Sequence, residues 1–271
     1  MPTAKTKPAA KTKPAAKSAA TAVAPRATGA VSVKDMMAKQ IASLADKTQP
    51  ATGNKIRVTQ DKQFVLPDGT KTREPLSMVI VDFCSRNLFY PNAYDKDNIQ
   101  PPACFAIGEN PKKLVPSTNS PEKQSDDCAD CPNNAWDSAG DGKAGKACKN
   151  TRLMAVLPPD AAPGDPMWLL EASPTAIRGF DGYVNGLATR MNLAPFAVVT
   201  TVTFDDSKEF ASLVFENPEP LDDPQPFADR IEEAKAMLYA EPDVSGYGQQ
   251  PARKTIPVKA TPRKGTVAAR R

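Results

Sequence analysis

Histidine is absent from this chain of 271 residues. Without it, neither a Ser-His-Asp nor a Cys-His catalytic arrangement can be built, and cysteine and the carboxylates are left as metal ligands. Aromatic residues are few, at 6% of the sequence. No apolar run approaches the roughly 18–20 residues of a membrane helix, so no membrane partner is expected. No apolar core of a secretory leader follows the basic start. A phosphate-binding G-x-x-x-x-G-K-[ST] loop is also missing, because Gly140–Cys148, "GDGKAGKAC", has Ala147 where the Ser/Thr must stand. These absences point to a cytoplasmic protein that binds rather than catalyses. Its five cysteines are then thiols or metal ligands, not disulfides.

The charge present is unevenly placed. Residues 1–50 hold nine Lys/Arg against two Asp/Glu, and residues 241–271 hold seven against two. The segment between them holds 19 against 27. An acidic body therefore carries two basic tails, a pattern that suits attraction to a polyanion such as nucleic acid. "AKTKPA" at Ala4–Ala9 repeats directly as "AKTKPA" at Ala10–Ala15. Such Lys-Pro-Ala repeats cannot bury a core, so disorder is expected there, with one short amphipathic helix around Met37, Ile41 and Leu44.

Between these tails, residues 51–240 read as one mainly β, α+β domain. "KIRVTQDKQFVLPDGT" predicts two short strands and a turn at Pro67-Asp68-Gly69. "PLSMVIVDF", "ACFAIG", "RLMAVLP" and "MWLLEA" predict further strands, the first of them buried. Ser173-Pro174 predicts a helix start, with Ile177, Phe180, Val184 and Leu187 facing inward as far as about Met191. "FAVVTTVTFD" and "FASLVFEN" predict an antiparallel pair, and "PFADRIEEAKAMLYAE" a last helix. Short strands around one helix suit a small oligonucleotide-binding (OB-like) β-barrel with flanking helices and a long inserted loop.

That loop holds the chemistry. Cys128 and Cys131 form a C-x2-C pair, whose short turn lets two sulfurs face one ion. Cys148 supplies a third thiolate, and Cys104, at the opening of the excursion, the fourth. A structural Zn2+ on Cys104, Cys128, Cys131 and Cys148 would staple the loop over residues 104–150. A four-cysteine iron–sulfur cluster is the alternative. Cys84, at the end of an apolar strand, reads as a core thiol. Lys143, Lys146, Lys149 and Arg152 surround the last ligand and are candidates for phosphate contacts. Arg86, Tyr90 and Tyr94 precede the loop and are candidates for a single-strand groove, where aromatic rings stack on bases. Adjacent acidic pairs such as Asp205-Asp206 read as turn residues rather than a nuclease site.

"PACF", "CADCPNNAWDSAGDGKAGKACKNTRLMAVL" and the later "SPTAIRGFDGYVNGLA" resemble a pattern in tailed-bacteriophage single-stranded-DNA-binding proteins. The resemblance runs over about Leu76–Glu216. It implies a zinc loop, an OB-like barrel and a place in phage DNA replication or recombination in the cytoplasm of an infected bacterium. Its partners would be single-stranded DNA, with RNA as the alternative, and replication proteins. One departure is clear: the chain ends in basic "RKGTVAARR", not in an acidic partner-recruiting tail. A zinc-loop adaptor or virion component is the second reading, and a replication nuclease the third.

Overall fold

The computed structural model describes residues 36–37, 53–93, 95, 98–140 and 144–248. The disorder expected of residues 1–30 lies outside the described residues; of the tail expected over residues 241–271, residues 241–248 are described and the rest lies outside them. Of the expected early helix, only Met36 and Met37 are described; they are helical and exposed.

The body is mainly β, with short helices. Its strands are β1 Lys55–Val58, β2 Phe64–Val65, β3 Lys71–Thr72, β4 Leu76–Phe89, β5 Cys104–Gly108, β6 Cys148–Leu157, β7 Trp168–Ala172, β8 Val198–Phe204 and β9 Leu213–Pro220. Helix α1 spans Ile177–Gly186, α2 Gln225–Ala228 and α3 Ile231–Leu238. The strands join in the order β3-β2-β1-β7-β6-β4-β8-β9, with β5 also on β4. All pairs are antiparallel except β1 with β7.

β4 organises this sheet. Its fourteen residues pair with β6 along most of their length. On its other edge, Leu76–Met78 pair with β8 and Ser85–Phe89 with β5. A register shift between Ile80 and Asp82 marks a bulge, which sharpens a strand's bend. The sheet curls accordingly. Ile56 and Phe64, from one end of the strand order, share a core with Phe204, Leu213 and Phe215 from the other. The Phe64 and Phe204 rings stack 4.4 Å apart. Phe180 of α1 closes this core, edge-on to Phe83 and Phe215 at 5.0 and 4.9 Å. The opposite face of the sheet carries a second core, where Val79, Cys84, Leu153 and Leu157 meet Ala234 and Leu238 of α3.

Two expectations need adjustment, the start of the first long helix and the continuity of the last one, while the first ends as expected. The Ser173-Pro174 start becomes a separate turn, with the Ala176 amide donating to Ser173 O at 2.9 Å, and the helix proper begins at Ile177. A π-helical turn, Leu187–Met191, ends it at Asn192, which adopts a left-handed φ of 54°. The last helix is broken in two at Asp229-Arg230. Among the described residues, no helix is long and apolar enough to cross a membrane.

Phe180 is fully buried and Phe210 is 51% exposed. Phe180→Ala should cost about 3–5 kcal/mol in denaturant unfolding. Phe210→Ala should stay within about 0.5 kcal/mol of the parent.

Candidate functional site

The excursion between β5 and β6 has no strand of its own. It is ordered by polar contacts against β5. The Ser117 amide donates to Phe105 O at 2.8 Å, and the Glu122 amide to Ala103 O at 2.8 Å. Leu114 is its apolar anchor, buried beside Ala106 and Cys128. A Cβ on Gly108 would come within 2.8 Å of the Leu114 side chain, so a side chain there would push the anchor out. Further on, Glu241 holds the loop from outside, accepting from Ser117 Oγ at 2.5 Å and Asn119 Nδ2 at 2.6 Å.

Cys104, Cys128, Cys131 and Cys148 are all buried, at 6–8% exposure. They line one cavity of about 10 Å³ together with Asn87, Phe89 and Asn134. The register explains the meeting of the loop's two roots, because Cys104 of β5 and Cys148 of β6 flank the same β4 residue, Phe89. The single 3-10 turn after Cys131 is closed by the Asn134 amide donating to Cys131 O at 2.9 Å, and Asn134 Nδ2 reaches back to donate to Cys128 O at 2.6 Å. Asn150 then donates to both Asn87 Oδ1, at 2.5 Å, and Asn134 Oδ1, at 3.1 Å. Burial, then the neighbouring cysteines, pushes the Cys148 thiol up to about 12. Burial likewise pushes Cys128 up to about 11, against a hydrogen bond from Asn87. No group of three or more His, Cys, Asp or Glu among the described residues is set up to hold a metal ion as it stands. The four thiols nevertheless share one cavity. Cys84 stands apart, fully buried, with its Sγ 3.5 Å from Leu238 O.

The expected nucleic-acid residues divide between the two faces of the sheet. Side chains alternate along a strand. Arg86, Leu88 and Tyr90 therefore share one face with Thr151 and Lys149, their partners or neighbours in register. Asn87 and Phe89 point to the other face, with Cys148 and Asn150. The expectation that loop lysines and aromatics form a single patch thus holds only for part of the set.

On the first face, Lys149 Nζ sits 5.3 Å from the centre of the Tyr90 ring, a cation–π contact. Both line a groove of about 420 Å³ with Pro91, Ile99, Pro101 and Tyr247. Asp95, Glu122 and Glu171 line it too. Burial, then the Glu171 carboxylate, raises the Tyr90 phenol, so it stays neutral near pH 7. Arg86 lies nearby, its guanidinium 3.7 Å from Glu171 and its buried Nε without a hydrogen-bond partner. Lys146 is exposed on the cysteine loop and donates to Asn134 Oδ1 at 3.1 Å. Arg152 is already committed: buried on the cysteine face, it grips Asp181 of α1 through Nε at 3.0 Å and Nη2 at 2.9 Å. It is a framework residue, which corrects its expected place in a phosphate patch. Tyr94 and Lys143 lie outside the described residues. Trp136 is 70% exposed on the loop.

Sequence reasoning missed Lys55 and Arg57 of β1 and Glu171 of β7, which join the Arg86 face. The alternation in "KIRV" was legible, but the parallel pairing of β1 with β7 was not. Comparison with protein-family models, with curated proteins and with solved structures finds no match to this chain.

Asp181→Ala would leave the Arg152 guanidinium buried without its acceptor. It should cost about 1–3 kcal/mol in stability. Lys146→Ala, which removes one exposed contact, should cost at most about 0.5 kcal/mol in the same assay.

Proposed function

We propose that the protein binds single-stranded nucleic acid, with DNA as the first candidate, and that a structural zinc on Cys104, Cys128, Cys131 and Cys148 fixes the loop beside the binding groove. The observation that carries the reading is the Lys149–Tyr90 pair lining the first groove, with Arg86 alongside. A neutral ring beside a cation offers a base a stacking surface and its phosphate a counter-charge.

Chain order supports an OB-like barrel. With β5 counted as part of the insertion, β4, β6, β7, α1, β8 and β9 follow a strand-strand-strand-helix-strand-strand order, and β4 pairs with both β6 and β8. One difference stands out: the parallel partner of β7 is β1 of the N-terminal hairpin, not β9. The cysteine loop is inserted between the first two strands of this set. Zinc bound there by four thiolates would have no open position, so its part is to hold the loop rather than to activate water. The phage resemblance is in keeping with this reading and would put it in replication or recombination. The acidic body supports the second reading, an adaptor whose loop docks a protein.

Metal analysis of the purified protein should find one zinc per chain. Cys128→Ser and Cys104→Ser should each lose it and render the loop sensitive to protease, while Cys84→Ser should keep it. Full retention of metal by the Cys104 variant would refute the ligand set.

Strand binding is tested by titrating a labelled oligothymidylate. Tyr90→Ala should weaken binding by about 1–3 kcal/mol with little change in salt dependence. Lys149→Glu should weaken it most at low salt and leave zinc bound. If neither change alters binding, the strand lies elsewhere.

A further inference from the structure

A second groove, of about 660 Å³, adjoins the first at Glu171, where β1 meets the connection from β8 to β9. Lys55, Arg57, Glu171, Ser173, Phe210 and Leu213 line it. Its floor follows from strand alternation. Ile56 turns inward to the core, so Lys55 and Arg57 turn outward on either side of it. In register, Lys55 lies beside Leu169 and Ile56 beside Leu170, which brings Arg57 level with Glu171.

The wall of this groove is the connection from β8 to β9. It presents Phe210, 51% exposed where most large apolar side chains of the body are covered. Lys208 lies 5.9 Å from the centre of that ring. The lysine is itself held in place, 3.0 Å from Asp205 Oδ2 and donating to Ser212 Oγ at 3.2 Å. An exposed ring with a fixed cation beside it repeats the Tyr90–Lys149 arrangement of the first groove. Glu209 and Glu171 are the carboxylates here. Glu171 belongs to both grooves. It is spanned by two cations, Lys55 at 2.8 Å from one side and Arg86 at 3.7 Å from the other. The junction is thus neutralised rather than an acidic barrier.

We propose that the second groove takes the continuation of the same single strand, with a base stacked on Phe210 and phosphates beside Lys55 and Arg57. The inference rests on the reading of the first groove, and it adds a footprint: one strand crosses β4, β6, β7 and β1 and ends against the β8–β9 connection. Two ring–cation pairs in adjoining grooves suit a ligand that repeats base and phosphate, which a compact small molecule does not.

The test uses the full chain and oligothymidylates of about 5 and about 15 nucleotides, which bracket the site sizes of single-strand-binding barrels. Phe210→Ala should weaken the long strand by about 5- to 100-fold, the loss of one stacked base, and leave the short one unchanged. Phe210→Tyr should restore it. Arg57→Glu should also weaken the long strand selectively, and more so at low salt. In Phe210→Trp, the long strand should quench the added tryptophan and the short one should not. If the parent binds both lengths and Phe210→Ala binds the long one like the parent, the second groove is not on the path, while the first groove stands. Binding of an oligoglutamate peptide that Arg57→Glu abolishes, with strand binding unchanged, would also overturn the proposal and assign the groove to a protein ligand. If the parent binds neither length, both readings fall together.

Discussion

Alternation along a single strand, β4, sets what the rest of the molecule can do. Its fourteen residues hydrogen-bond to β6 on one edge and to β8 and β5 in turn on the other. Every consecutive residue near its end is committed to a different face. Arg86, Leu88 and Tyr90 go to one side, and Asn87 and Phe89 to the other. The cysteine cavity and the aromatic groove are therefore back to back, separated by one layer of backbone. A one-residue slip of β4 against β6 would exchange the two, removing the cation from the ring and Asn87 from the cysteines.

The two faces are stabilised by different physics. The concave side is an apolar core, with Phe64, Phe180, Phe204 and Phe215 in ring contact, and it tapers into the Asn87–Asn150–Asn134 hydrogen-bond chain and the thiols. The other side is apolar only where α3 covers it, and beyond Cys84 and Leu153 it becomes charged and open. Arg152 shows the cost of the boundary: a cation on the buried side needs Asp181 held bidentate beside it. Lys149, three residues earlier and on the open side, needs only a ring.

Much of this was legible in the sequence. Runs such as "MVIV" and "RLMAVL" announce strands because buried β-structure selects branched apolar residues, and the strand pair β8–β9 and the core placement of Cys84 follow from the same patterns. The convergence of Cys104 with Cys148 was legible too, since a loop that leaves and re-enters one sheet must bring its roots near each other. What escaped was non-local. Nothing in "KIRV" states that β1 lies parallel to β7, so Lys55 and Arg57 could not be assigned to the Arg86 face. Arg152 reads as a loop cation because its carboxylate, Asp181, is 29 residues away on a helix. The turn at Ser173-Pro174 has the residues of a helix cap, but Ser173 Oγ bonds the Thr175 hydroxyl instead, at 3.0 Å.

The central claim is that one face of the sheet, and not the other, receives a single strand. Amide hydrogen exchange with and without a saturating oligothymidylate tests it most directly, because it reports on each strand separately. The account predicts slowed exchange over residues 88–101 and 147–151, with the β4–β8 pairing and helix α1 unchanged. Protection confined to α1 and β9, or none at all in a protein that retains its zinc, would contradict it.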